Sequence, residues 1–483
     1  MKKILIFILA SLSVVGCKKA LVENPAGQVV GDVALQTVAG LNAALVGAYK
    51  PLSVSYVTGF NNAAVVAVLM GSDDLTTHPA SNKADLREFD QYHVSNLNDR
   101  MPTIWNGCYK SIQGANNIIS NYTSTSGDAA TINQILGEAY FLRAFNYYWL
   151  VRLWGPIPLI TSAVYSADVL KTTVSQPADV YKLIESDLGN AIKLMGDKKL
   201  DDGRASKGSA SALLADVYLT EGGWPINDNS KYALAATQAL DVINNKTAYG
   251  FDLVADLPTL WLQTKEGVAT SEEVFAIHNC GTCNWFNGNV LFGNSPTPGE
   301  ENGWDDYFSE IAFFNNFPAG IRKDVTFHTV ITLANGTTEP WQNDDVKHPY
   351  FQKFRAAVED RTNNAGSATV PLIRYAHVLL IYAEAQARSG AVNAQAYASI
   401  NAVRSRAGLA ALSGLSSADF INAVINERSW EFAGEYTRWF DITRLQILPQ
   451  IIAARDKSEN AVIGTPQYYL PIPAADVQLD PNL

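Results

Sequence analysis

Cysteine is scarce in this chain. Four residues in 483 (Cys17, Cys108, Cys280 and Cys283) are too few for a disulfide scaffold. Long apolar runs are missing as well. After residue 17 no stretch of eighteen apolar residues occurs, which excludes a membrane-spanning helix in the body of the chain. Basic charge is in deficit: 36 Lys and Arg face 47 Asp and Glu, a net charge of −11. No basic patch offsets it, which excludes nucleic acid as a partner. The acidity mainly implies solubility. Signatures of chemistry are also absent. There is no nucleophile elbow, phosphate-binding loop or metal pair. The deaminase pattern fails too, lacking a glutamate two residues after a histidine and a Pro-Cys pair. The sequence therefore assigns no catalytic residue, no metal and no cofactor.

What is present starts at the N-terminus. Lys2 and Lys3 precede an apolar core from Ile4 to Val15, of secretory length and too short to span a bilayer. Residues 1–16 read as a signal peptide. Ser13-Val14-Val15-Gly16-Cys17 resembles the lipobox of bacterial lipoproteins, where the cysteine is acylated, palmitate included, and becomes the mature N-terminus. The alternative is an ordinary secretory signal with an incidental cysteine. Several acyl chains anchor a protein stably without a spanning helix. Cleavage removes Lys2 and Lys3, so the charge of −11 becomes −13. Residues 17–31, with Pro25 and no periodicity, form a lipidated linker.

Helical spacing follows. Leu35 to Leu52 repeats apolar residues at three and four, as do Ile104 to Tyr122 and Thr131 to Trp154. Pro177 to Met195, Ser206 to Glu221 and Asn229 to Asn244 continue the pattern. Helix, turn and helix thus recur every 30 to 40 residues or so, with small residues (Ala139, Ala144, Ala210, Ala215) at crossings, as in a tetratricopeptide-like array. Cys108 falls on a buried helical face. Between these helices, Ser72 to Met101 is polar and irregular, and a loop of about thirty residues hints at function.

Periodicity thins between Tyr249 and Val370, where Gly, Asn, Pro and aromatics rise. This reads as an insertion of loops and short elements carried by the rigid scaffold. Trp285-Phe286-Asn287 and Trp304-Asp305-Asp306-Tyr307 mix flat rings with hydrogen-bonding groups, the materials of a carbohydrate site. The competing reading is that the tryptophans fill the insertion's own small core. Cys280-Gly-Thr-Cys283 reads as a local disulfide in an oxidising compartment. With His278 it also offers three zinc-type ligands, but no second cluster completes a tetrahedral site. Helical spacing returns from Leu372 to Ser389 and from Ala394 to Ala407. Asp419 is the expected N-cap of the helix leading into Asn426–Arg444.

That stretch, NERSWEFAGEYTRWFDITR, interleaves five aromatics with acids and arginines. Glu435 lies three residues before Arg438 and Asp441 three before Arg444, which suits same-face pairs on a helix. It reads as a buried structural brace.

Ordered motifs carry a resemblance over nearly the whole length. They are the lipobox Cys17; Gly137-Glu138-Ala139-Tyr140 through Arg143-Ala144 to Arg152-Leu153-Trp154-Gly155; Ala205-Ser206-Lys207-Gly208; Arg374-Tyr375-Ala376 with Tyr382-Ala383-Glu384-Ala385; Asn401-x-Val403-Arg404-x-Arg406-Ala407-Gly408; Glu427-Arg428 with Arg438-Trp439-Phe440-Asp441; and Leu470-Pro471-Ile472-Pro473. In this order they resemble the SusD/RagB family of outer-membrane nutrient-binding lipoproteins. The resemblance implies a mainly α fold, a tetratricopeptide-like helix-pair scaffold (residues 32–248 and 371–446 of a domain over 32–483) bearing a loop-rich insertion (249–370). It implies a non-catalytic lid over a TonB-dependent, SusC-like outer-membrane transporter, handing over an oligosaccharide or other nutrient. It also implies a lipid-anchored protein facing the cell exterior. Lys18-Lys19-Ala20 lacks the acidic run often tied to surface export in this family, so that orientation rests on the resemblance and not on the signal. Ligand residues vary within the family. By reasoning on chemistry they are expected in the early polar loop, at Arg87 and Asn98, and in the insertion, at Trp285, Trp304 and Tyr307. The alternatives are a glycoside hydrolase, which needs two closely placed carboxylates, and a tetratricopeptide scaffold that binds only protein or peptide.

Overall fold

A computed structural model describes residues 31–52, 59–60, 62–164, 171–261, 269–279, 294–355, 369–455, 461–463 and 465–483. The lipobox, Cys280, Cys283 and Trp285 lie outside these residues.

Helices dominate, and their ends follow local chemistry. Asp128 accepts a hydrogen bond from Thr131 N at 2.8 Å and opens the Ala129–Trp154 helix. Ser206 and Ser209 form a reciprocal capping box at the head of Lys207–Glu221. Pro177 stands at the first position of Pro177–Leu194, where its missing N–H costs nothing. On Met101–Asn121 the residues at three and four spacing (Ile104, Trp105, Cys108, Ile112, Ala115) are all buried, and Cys108 is a free thiol.

These helices stack in pairs. Val38–Tyr49 packs on Met101–Asn121, Ala129–Trp154 on Pro177–Leu194, and Lys207–Glu221 on Lys231–Asn244. Tyr375–Ser389 then packs on Lys231–Asn244 as well as on Ala394–Arg406 and Ser417–Glu431. The superhelix therefore resumes against its third pair after some 130 residues of other structure. One apolar core runs through it. Phe308, Ile331, Val346 and Tyr350 form a second, small core within the segment between the scaffold halves. Among the described residues, no helix is long and apolar enough to cross a membrane.

The structure corrects four sequence expectations. Residues 72–101 are not one irregular loop, since Ala84–Asp90 is helical and buries Leu86 and Phe89. Val370–Arg374 is a strand and not the head of a helix. It pairs antiparallel with Glu273–Ile277, and the helix starts only at Tyr375. Pro371 disfavours helix at this point and the ladder partner captures the residues around it. Ser416, not Asp419, caps Ser417–Glu431; its hydroxyl accepts from Asp419 N at 3.2 Å.

The fourth correction concerns Asn426–Arg444. The helix ends at Glu431, and Gly434 (φ +71°) and Tyr436 (φ +67°) turn the chain before Arg438–Leu445. Gly434 is required there. A Cβ would lie 2.7 Å from the Phe351 ring, and its N–H donates to Asp74 at 3.0 Å. The turn breaks the expected Glu435–Arg438 pair. Glu435 instead meets Arg374 at 2.7 Å and Lys353 at 2.6 Å, while Arg438 grips Asp73 with two nitrogens at 2.6 and 2.8 Å. Asp441 and Arg444, both on the new helix, do pair at 2.8 Å.

Around this turn lies a buried network of opposite charges. Glu431 contacts Arg322 at 3.1 Å, Arg374 at 3.0 Å and Arg406 at 2.6 Å. Arg444 holds Glu384 with two bonds, at 2.6 and 2.7 Å. Burial alone would raise the acids, yet the surrounding guanidinium charges hold Glu431 and Asp441 well below the usual carboxylate range. His377, stacked on Phe432 at 3.7 Å between ring centres, is held neutral by burial and then by the charges of Arg374 and Arg428.

Candidate functional site

The early polar segment and the insertion meet in one junction. Leu75–Thr76 pairs antiparallel with Phe308–Ser309. Asp306, buried, fastens the join: Thr77 Oγ1 donates to its carbonyl at 2.6 Å, and its carboxylate takes Ser295 Oγ at 2.5 Å and the ammonium of Lys83. Lys83 also donates to the carbonyl of Trp304 at 2.7 Å. Behind the junction, Arg455 bridges Asp90 of the first segment and Glu310 of the second.

Trp304 sits on a tight loop whose closure the sequence dictates. Trp304 N and Asp306 N donate to the carbonyls of Asn294 and Ser295 at 3.0 and 2.9 Å. Gly303 crosses so near that a Cβ would stand 1.9 Å from the Thr297 carbonyl oxygen, so no other residue fits. Asn302 (φ +62°) and Asp305 (φ +50°) take the left-handed conformations that Asn and Asp tolerate best after glycine.

The predicted ligand residues thus come from two segments that the fold joins, but their side chains differ in availability. Trp304 and Arg87 keep partial exposure. Arg87 Nη1 donates to the carbonyls of His78 (3.2 Å) and Ala80, tying down the loop before its helix. Asn98 is buried; its amide donates to Asp85 O and to Glu88 Oε2, both at 2.9 Å, and its oxygen accepts from Arg100 N at 3.0 Å. Tyr307 is fully buried against Phe351. Both support the junction from within. His278 contacts Glu273 at 2.9 Å.

Beside Trp304 lies a set of acids the sequence reading did not single out. Glu301 accepts from His328 Nε2 and Thr332 N, each at 2.9 Å, and pairs with Arg355. Burial pushes this acid up, but the His328 hydrogen bond and the Arg355 charge outweigh it and hold the carboxyl at about 2. Its neighbour Glu300 faces other acids. Glu300, Asp344 and Asp345 bring carboxylate oxygens within 4.8 Å of one another. Asp344 is buried, and burial followed by the Glu300 charge pushes it up to about 6. The hydroxyl of Tyr350 lies 3.1 Å from Asp344 Oδ2 and 2.8 Å from Asp305 Oδ1. The acidic dipeptides Glu300-Glu301 and Asp344-Asp345 were the available signal, but their 44-residue separation hides that they meet.

Two clefts open elsewhere. One, about 290 Å³, lies between Trp105, Tyr109 and Gln113 and the C-terminal Asp476 and Leu479. Another, about 190 Å³, lies among Tyr92, His93, Trp439 and Tyr469. Neither is lined by Arg87, Asn98, Trp304 or Tyr307.

Comparison with known proteins places the fold. The model of the SusD family matches residues 283–483, and a SusD-like model described as starch-binding associating with outer membrane matches 37–219. SusD-like protein P2 of Formosa agariphila is 28% identical, covering 99% of this chain and 97% of its own length. A SusD homologue of Bacteroides thetaiotaomicron superposes with a TM-score of 0.81 at 22% identity, over 93% of this chain and 96% of that one. A laminarin-binding SusD-like protein superposes with a TM-score of 0.76 at 25% identity, over 92% and 97%.

Proposed function

The chain belongs to the SusD-like family, and from that premise we propose that it is a non-catalytic oligosaccharide-binding lipoprotein of the outer membrane. It is anchored through Cys17, and Cys280 and Cys283, three residues apart in sequence, close a local disulfide. It acts as the lid of a TonB-dependent, SusC-like transporter, with the helix pairs of 32–248 and 371–446 as frame and 249–370 as the ligand-facing insertion.

The observation that carries this reading is the end-to-end correspondence with SusD-like proteins, one of which binds laminarin. The junction supports it: Trp304 is partly exposed on a loop locked from behind by Lys83, Asp306 and Gly303. A ring held this way stacks on the apolar face of a sugar at little entropic cost. The outer-membrane assignment draws on the description of the matching SusD-like family.

Affinity electrophoresis across a glycan panel, laminarin included, tests the reading. The wild type is expected to be retarded by at least one glycan. Trp304→Ala is expected to weaken that retardation about tenfold, the equivalent of one lost stacking contact, and Trp285→Ala reports on the second predicted ring. Unretarded migration in every gel would reject the sugar. New reducing ends released from the same glycans would reject the non-catalytic assignment.

A further inference from the structure

The geometry points to a divalent-cation site formed by Glu300, Asp344 and Asp345, built for a hard ion such as Ca²⁺. Three carboxylates from two distant segments converge there, with oxygens within 4.8 Å of one another. Among the described residues, no Lys, Arg or His pairs with any of them. The contrast with Glu301, one residue away and held by His328 and Arg355, is direct.

Two further observations make this more than an acidic cluster. Asp344 is only 2% exposed, and its Oδ1 is buried with no hydrogen-bond partner. A buried carboxylate oxygen without a donor costs the full desolvation of that atom unless a ligand meets it. Its other oxygen shares the Tyr350 hydroxyl with Asp305. That hydroxyl has one proton, so it satisfies one of the two carboxylates at a time. A cation supplies the missing positive partner for the whole group.

The donor set selects the ion. All ligand atoms are carboxylate oxygens, with no imidazole or thiolate, which favours Ca²⁺ or Mg²⁺ over zinc or copper. Ligands drawn from a one-turn helix (Gly299–Glu301) and an irregular turn suit the variable geometry of Ca²⁺ better than the strict octahedron of Mg²⁺. Binding there would clamp the turn before Trp304 to the loop before Tyr350. The site does not depend on the sugar reading, and its test contains no sugar.

Terbium is the probe, because Trp341 and Tyr350 flank Asp344 in sequence and can sensitise its luminescence. Chelator-treated full-length protein is titrated with Tb³⁺ and then with Ca²⁺. One saturable Tb³⁺ site, displaced by Ca²⁺ ahead of Mg²⁺, is expected. A melting temperature about 3 °C higher in saturating Ca²⁺ than in chelator is also expected. Glu300→Gln and Asp345→Asn should each weaken Tb³⁺ binding at least tenfold while melting no lower than wild type in chelator. Glu339→Gln, an acid outside the cluster, should bind as wild type does. Asp345 is exposed, so its variant decides the matter even if a change at buried Asp344 prevents folding. No saturable Tb³⁺ signal in the wild type, or equal binding by Asp345→Asn and wild type, would overturn the site.

Discussion

Around Arg374, four glutamates (Glu272, Glu427, Glu431, Glu435) lie among Arg322, Lys353, Arg374 and Arg406. Around Asp344, the carboxylates of Glu300 and Asp345 converge on it, and Asp344 shares the Tyr350 hydroxyl with Asp305. Each region takes an acid out of water, Glu431 in the first and Asp344 in the second, and the outcome is opposite. In the first, the guanidinium charges overcome burial and hold Glu431 far below its ordinary value. In the second, burial and like charge reinforce each other and lift Asp344 to about 6. Charge density by itself therefore does not identify a binding site. A network closed by its own counter-charges is a brace; one left short of positive charge has room for a ligand.

Breaking the brace should have the largest effect. Arg374→Met takes one cationic partner from each of three buried glutamates, Glu272, Glu431 and Glu435, and loss of one partner of a buried ion pair costs about 3–5 kcal/mol. We expect a destabilisation at or above the top of that range in urea unfolding. Trp439→Ala, which truncates a buried ring against Tyr92 and Gly71, should cost about 3–5 kcal/mol. The folded fraction should keep its glycan affinity; lost binding at an unchanged melting temperature would move Trp439 from the brace into a site.

Acid should loosen the brace next. Glu431, Asp441 and Glu384 have folded values below their unfolded ones. The unfolded chain then binds more protons at low pH, so stability falls as pH falls. Their contribution is complete above roughly pH 4.5, the unfolded carboxylate range, and is lost below it. A melting temperature flat between pH 5 and pH 3 would contradict this. The smallest stability effect belongs to Trp304→Ala, expected below about 1 kcal/mol because the ring is only partly buried. A larger loss would make Trp304 a core residue and weaken its assignment to the ligand face.

Much of the scaffold was legible because its signals are local. Three-and-four spacing marked Met101–Asn121 and Ala129–Trp154 to within a few residues, and Ser206 and Pro177 marked their helix starts. The motif order led to the SusD-like family. Cys108 was readable as a buried small hydrophobe from its helical face alone. Of the five predicted ligand residues, Trp285 lies outside the described residues and the other four fall in two segments that the fold joins, but the orientation of each side chain was not legible. Composition made Asn98 and Tyr307 look like contacts, whereas the fold turns both inward.

Pairing across distance was left to the tertiary structure. Arg438 and Asp73 are 365 residues apart, and Glu300 and Asp344 belong to different turns. Helix spacing offered Glu435 to Arg438, but a left-handed turn at Gly434 and Tyr436 redirected both. Hydrophobic periodicity and capping act within a few residues, so the order of residues states them directly. Which buried charge finds a partner, and which does not, depends on how the chain closes on itself.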